Sequence, residues 1–292
     1  VGAKIGERPD AEVMAERKEH YSAPVPDRVA YLTAGIDSQL DRYEMRVWGW
    51  GPGEESWLID RQIIMGRHDD EQTLLRVDEA INKTYTRRNG AEMSVSRICW
   101  DTGGIDPTIV YERSKKHGLF RVIPIKGASV YGKPVASMPR KRNKNGVYLT
   151  EIGTDTAKEQ IYNRFTLTPE GDEPLPGAVH FPNNPDIFDL TEAQQLTAEE
   201  QVEKWVDGRK KNTVGQQKSD AMRHSTASFM RWRRCASVFP AGSWISVRCW
   251  RACRKRMVQQ PTRKHWQITP VPYPERMNDA TGRTCRCPCG TA

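Results

Sequence analysis

The period of the apolar positions changes several times between residues 29 and 211, and each change marks an element. Val29-Ala30-Tyr31-Leu32-Thr33-Ala34-Gly35-Ile36-Asp37 is an almost unbroken run of apolar and β-forming residues. It predicts a central strand buried on both faces, and it stops at an acid. Tyr43-Glu44-Met45-Arg46-Val47-Trp48-Gly49-Trp50 alternates as a half-buried strand does. Gly51-Pro52-Gly53 signals a turn, and 57–64 predicts a third strand. Connections this short make the three strands an antiparallel meander. Over residues 70–88 the period lengthens, and Leu74, Leu75, Val77, Asp78, Ala80, Ile81 and Tyr85 fall on one face of a helix. Arg97-Ile98-Cys99-Trp100-Asp101 predicts a short strand that again ends at an acid. After Thr102-Gly103-Gly104 a helix opens near Pro107 and closes before Gly118. Residues 119–126 and 146–152 predict strands, 154–165 a helix, and 191–207 a charged amphipathic helix.

Three meandering strands, then helix, strand, helix, strand, is an α/β pattern with a mixed sheet flanked by helices. It is the element order of the ribonuclease-H-like fold, although many α/β folds share pieces of it. Residues 1–28 are charged and end in Ala23-Pro24-Val25-Pro26, which predicts an extended linker. The body is then 29–211, leaving 212–292 as a tail. The chain opens on Val1 rather than Met, as a fragment or an unusual start would. The opening thirty residues hold no apolar signal core, and mean hydropathy is −0.73 with no run long enough to span a membrane.

Charge sharpens the division between body and tail. The formal net charge is +8, but 212–292 holds 15 Lys and Arg against 3 acids, whereas 1–211 holds 30 bases against 34 acids. The basic character therefore belongs to the tail and is no argument for a nucleic-acid surface on the body. Cys99 is the single cysteine of the body, and six more crowd the tail. A body so poor in cysteine, without a signal core, reads as cytoplasmic and reduced.

Asp37 and Asp101 each close an apolar strand, at the edge where open α/β sheets gather their sites. If the two strands are neighbours, the carboxylates converge, and hard oxygen ligands of that kind suit magnesium or manganese. The plainer alternative is that each acid ends its strand or caps the next element. At these residues the chain resembles a family. Leu32-Thr33-Ala34-Gly35-Ile36-Asp37, Trp48-Gly49-Trp50-Gly51 with Glu55-Ser56-Trp57, Cys99-Trp100-Asp101-Thr102-Gly103-Gly104, Ile125-Lys126-Gly127 and Leu196-Thr197-Ala198-Glu199-Glu200 resemble the nuclease domain of lambda-like phage terminase large subunits, DNA-packaging proteins. The likeness runs from residue 1 to about 211. It implies a ribonuclease-H-like fold, Asp37 and Asp101 as ligands to Mg2+ or Mn2+, and staggered cutting of concatemeric double-stranded DNA at the packaging site. It implies a role in cutting for Lys133, in Tyr131-Gly132-Lys133-Pro134. It also implies partners, the terminase small subunit and the portal, and a setting in the bacterial host cytoplasm. ATP is expected only through the family's N-terminal ATPase domain, which is expected to lie upstream of these residues.

Other motifs are weaker. Gly127-Ala128-Ser129-Val130-Tyr131-Gly132-Lys133 spells most of a phosphate-binding loop, but Pro134 stands where a Ser or Thr should hold magnesium, and no helix pattern follows. No nucleotide site is expected there. Arg140, Lys141, Arg142 and Lys144 form a basic loop that reads either as a DNA-backbone contact beside the nuclease centre or as a solvated connection. His117 and His180 lack partners at metal-ligand spacing and read as surface or strand-end residues.

The tail contains no leucine, although the preceding 211 residues contain eleven, and its apolar residues show neither helical nor strand period. It is expected to be poorly ordered. Its Cys285-x-Cys287-x-Cys289 string lacks the paired C-x-x-C of a structural zinc site. Between Met222 and Cys235 the same bases, displaced by one position and with permitted codons, read as Glu-Ala-Leu-Asp-Cys-Phe-Val-Tyr-Ala-Leu-Ala-Ala-Leu. That is an amphipathic helix resembling the family's last nuclease helix, and its acid would be the third metal ligand. A prophage copy frameshifted near Lys210-Lys211 would explain the change. Loss of that acid predicts weak or absent cutting, and the family's portal-docking end is expected to be lost as well. The competing readings are a remnant that at most binds DNA or packaging partners, and a transposase or integrase, which needs a third acid and an end-binding domain not visible here.

Overall fold

A computed structural model of the chain describes residues 10–197, apart from 104, 105, 129, 131, 170 and 172, together with the backbone of 199–206, 209–216, 277–278 and 284–285. Ahead of the meander lie a short helix, α1 (Ala11–Glu16), and a two-residue strand, β1 (Lys18–Glu19). The meander itself is β2 (Tyr31–Ser38), β3 (Arg42–Trp50) and β4 (Ser56–Met65). Then follow α2 (Glu71–Asn82), β5 (Thr84–Thr86), β6 (Glu92–Asp101), α3 (Pro107–His117), β7 (Val122–Gly127), β8 (Thr150–Ile152), α4 (Thr154–Phe165), β9 (Val179–Pro182) and α5 (Leu190–Thr197). One sheet runs β1-β9-β4-β3-β2-β6-β7-β8, with β5 on β6. β3 is antiparallel to β2 and β4, whereas β6, β7 and β8 continue the sheet in parallel from β2. A meander extended in parallel from its first strand is the expected ribonuclease-H-like order.

β2 is central, and seven of its eight residues are buried, because helices cover both faces. On one face Leu32, Ala34, Ile36, Met45, Val47, Ile98 and Trp100 pack with Leu74, Val77 and Ile81 of α2 and Val110 of α3. The Asp70 side chain starts α2 by accepting from the Thr73 amide at 2.8 Å. On the other face Trp48, Trp50 and Leu58 pack with Met14 of α1, Phe165 of α4, and Ala193 and Leu196 of α5. Phe181 stacks on Phe188 in the same cluster, with centroids 4.1 Å apart. A separate apolar group on this face joins Cys99, Ile123, Ile125 and Ile152.

Several elements depart from the sequence expectation. The stretch read as a linker is packed from Asp10 on: Met14 is buried, β1 pairs with β9, and Val25 bridges to Arg87. The helix expected over 70–88 stops at Asn82, because Thr84, Tyr85 and Thr86 are β-formers that pair with β6. β8 is shorter than expected, because Asn143 folds 143–147 into a turn, accepting from the Asn145 and Val147 amides. β9 was not foreseen. α5 ends at Thr197, and the rest of the expected helix is a strand, β10 (Glu199–Val206), paired antiparallel with β11 (Arg209–Gln216). This hairpin crosses the expected boundary at 211.

The chain divides into two compact units, 1–247 and 248–292. In the second, β12 (Met277–Asn278) and β13 (Thr284–Cys285) pair antiparallel. Otherwise the tail, with its proposed frame change, lies outside the described residues.

Candidate metal centre

Because β2 and β6 are parallel neighbours, their carboxyl ends point the same way. Ile36 is in register with Trp100, so Asp37 and Asp101 follow side by side on the opposite face, on strands about 4.8 Å apart. Both are buried, at 0% and 2% exposure. The strand ends are fixed from the other face, where the Trp100 indole donates to Ser38 Oγ at 2.8 Å. Beyond Asp101 the backbone is held by Thr102, whose amide and hydroxyl each donate to the Ile125 carbonyl at 2.9 Å. Gly103 then passes close to the carboxylate: a Cβ there would stand 3.2 Å from Asp101 Oδ2. The missing side chain keeps that oxygen approachable.

A strip of charge continues across β3. Glu44 is the register partner of Asp37, and the Gln39 amide lies 3.4 Å from Asp37 Oδ2 and from Glu44 Oε1. Arg42 and Arg46 donate to Glu44 at 2.8 and 3.2 Å. Arg46, fully buried, also grips Glu192 of α5 through Nε at 2.5 Å and Nη2 at 2.8 Å. Burial opposes the Arg46 charge, and the Glu192 carboxylate outweighs it, so the guanidinium pKa is raised. Among the described residues no group of three or more His, Cys, Asp or Glu is placed to hold a metal ion. Two adjacent carboxylates are the donor set the described body offers.

Lys133 is not brought to this pair of strands. Its ammonium is held by Glu151 of β8, two strands out from β6, and its carbonyl accepts from Thr156 Oγ1 at 2.8 Å. Nor does the basic loop lie beside the aspartates. It precedes β8 and approaches Lys115 in the last turn of α3, at the amino-terminal ends of the parallel strands, opposite Asp101. His180 is neither exposed nor at a strand end. It lies within β9, buried, and its ring nitrogens meet Glu19 at 2.7 Å and Glu55 at 2.9 Å. His117 sits against Asp78 at 2.6 Å.

A sequence profile described as "Terminase large subunit gpA, endonuclease domain" matches residues 3–226. The chain belongs to this family. Among its terminase relatives, the large subunit of Enterobacteria phage P21 is 61% identical over 206 residues, covering 70% of this chain. The chain spans 32% of that relative's length. Solved nuclease domains of large terminase subunits are also similar. The K428A mutant domain of gp2 from bacterial virus Sf6, with manganese, has a TM-score of 0.43 and 10% identity over 79% of this chain and 98% of that one. The g2p domain of bacteriophage SPP1, with bound Mn, has a TM-score of 0.34 and 13% identity over 75% of this chain and 96% of that one.

In this terminase nuclease domain the two expected aspartates end neighbouring strands, whereas Gln39, Glu44, Arg46 and Glu192 beside them were not expected. A trace of the strip was legible: Glu44 and Arg46 are charged at alternate positions of an otherwise apolar strand, which sets them on one face. Glu192 had no such mark.

Proposed function

We propose that the chain is the cutting domain of a phage DNA-packaging motor, hydrolysing phosphodiesters of concatemeric double-stranded DNA at the packaging site, with Asp37 and Asp101 as ligands to Mg2+ or Mn2+. The observation that carries this reading is the register of β2 and β6, which sets two buried carboxylates side by side at the carboxyl edge. Hard anionic oxygens fit either ion, and glycine at 103 sets no side chain against Asp101 Oδ2. Bound there, a divalent ion would supply an activated water and stabilise the leaving oxygen. The protein's part is to hold that charge and to orient it through Gln39 and the Thr102 anchor. Lys133 enters through family likeness, and would reach a substrate phosphate only after leaving Glu151. Arg140, Lys141, Arg142 and Lys144 would contact the DNA backbone, with affinity falling as salt rises.

Two ions carry more charge than two aspartates offset, so cutting by this chain is weak, and a remnant that binds DNA or packaging partners without cutting is the second reading. In the whole family protein the partners would be the terminase small subunit and the portal, and ATP would be used by the N-terminal domain. Mn2+ titration of the full chain tests the centre, alongside nicking of supercoiled plasmid. Binding should vanish in Asp37→Asn and in Asp101→Asn; if both variants bind manganese undiminished, the centre is misassigned. Robust nicking that disappears in Asp37→Ala would overturn the expectation of weak activity.

A further inference from the structure

Phe120 lies in the turn between α3 and β7 and is 55% exposed, large for an aromatic ring on a folded body. It stacks on Tyr148, just ahead of β8, with centroids 5.4 Å apart and planes 27° apart. The Arg142 guanidinium lies 5.6 Å from the Tyr148 ring centre. The same loop carries Arg140, Lys141 and Lys144, and Lys115 of α3 approaches it at Gly146; all four are exposed, and among the described residues neither they nor Arg142 is engaged in an ion pair. The loop itself is built: the Asn143 amide donates to the Val147 carbonyl at 2.9 Å, and Val147 is fully buried. Ser137 pairs with Glu151 at its other end.

We propose that Phe120 and Tyr148, with Arg142 over the Tyr148 ring and further cations on the same loop, form a stacking platform for the unpaired bases of single-stranded DNA. The proposal rests on the reading that the chain acts on DNA, and adds a second contact of different chemistry. Cations alone would suit a duplex or a single strand equally. An exposed ring offers nothing to a duplex, whose bases already stack on one another, but it can take a base from an open strand. Rigid aromatic planes interleaved with basic side chains are what sequence-tolerant single-strand binding requires. The platform is separate from the aspartates. Asp101 is in register with Ile125, three residues or about 10 Å along β7 from its first residue Val122, and Phe120 lies in the turn before Val122.

The test is fluorescence anisotropy of the full chain with labelled oligothymidine of about 12 nucleotides and with a duplex of equal length, in EDTA. Phe120→Ala should weaken oligothymidine binding about tenfold and duplex binding by less than about twofold. Phe120→Trp should restore the loss. An exposed side chain tolerates both changes, and circular dichroism would confirm the fold. Equal loss on both DNAs, no loss on either, or a Trp variant that behaves like Ala would overturn the platform. Because no metal is present, the outcome is independent of cutting: a Phe120-dependent single-strand complex in a chain that never nicks plasmid would keep the platform and sink the nuclease reading.

Discussion

Arg46 gives the sharpest stability prediction, because it is a fully buried guanidinium gripped from two sides. Its Nε and Nη2 hold Glu192 on α5, Nη1 points at Glu44, and Gln195 accepts from Nη2 at 3.2 Å. Replacing Glu192 with Ala removes the bidentate partner and leaves a buried cation facing Glu44. Breaking one side of such a pair destabilises by about 3–5 kcal/mol. Removing both charges, as Arg46→Met with Glu192→Met, avoids the stranded ion and is expected to be far milder, neutral or even stabilising. Urea unfolding followed by tryptophan fluorescence measures both. With a slope of about 2–3 kcal/mol per molar, the single change lowers the midpoint by about 1–2 M, whereas the double change lies near wild type. A midpoint loss under about 0.3 M for Glu192→Ala, or a double variant as unstable as the single one, would refute the claim that this pair clamps α5 to the sheet.

Two further outcomes follow from geometry. A methyl group at Gly153 would stand 2.3 Å from the Lys133 carbonyl and 2.4 Å from that of Pro134, so Gly153→Ala should lower stability by about 1–3 kcal/mol in the same urea assay, and an unchanged midpoint would contradict the packing of that strap. Burial pushes the Asp78 carboxyl up, but Lys116, His117 and Arg113 outweigh it and hold its pKa below the ordinary value. A depressed folded value stabilises above the unfolded pKa of about 3.9, and that contribution is lost as pH falls through the folded value. Melting temperature scanned down through that range should fall less steeply in Asp78→Asn; identical slopes would show that Asp78 does not link folding to protons.

How much of this was legible in the chain depended on whether a residue's signal was local. β2 and β3 announced themselves, because a central strand needs unbroken apolar sequence and its neighbour showed alternation. Asp37 and Asp101 were legible because each ends its strand, and parallel pairing then brings strand ends together. The β5 strand was hidden by the apolar period running through Tyr85, which packs in the same core as Ile81 but from a strand, with its hydroxyl donating to Asp60 at 2.8 Å. β9 is four residues whose pairing with β4 and β1 reaches across more than a hundred positions, and no local period foretells that. His180 failed for the same reason: its partners Glu19 and Glu55 lie 161 and 125 residues away, so spacing along the chain could not reveal them.

The parallel half of the sheet also decides what each charged group can do. Strands β6, β7 and β8 all send their carboxyl ends to the Asp101 edge, so the residues that lead directly into each strand are on the far side. Phe120 precedes β7 and the basic loop precedes β8, which puts them with the carboxyl end of α3 rather than with the acids. In the proposed reading, cations at the far end would add affinity and salt dependence without touching the reacting phosphate. Nearer the acids, the Arg46 fork is directed at Glu192 and Glu44. Its charge is thus committed to holding α5, away from the edge where Asp37 and Asp101 lie on neighbouring strands. A divalent cation answers that arrangement better than a further side chain could, because one ion can bind oxygens from both strands at once.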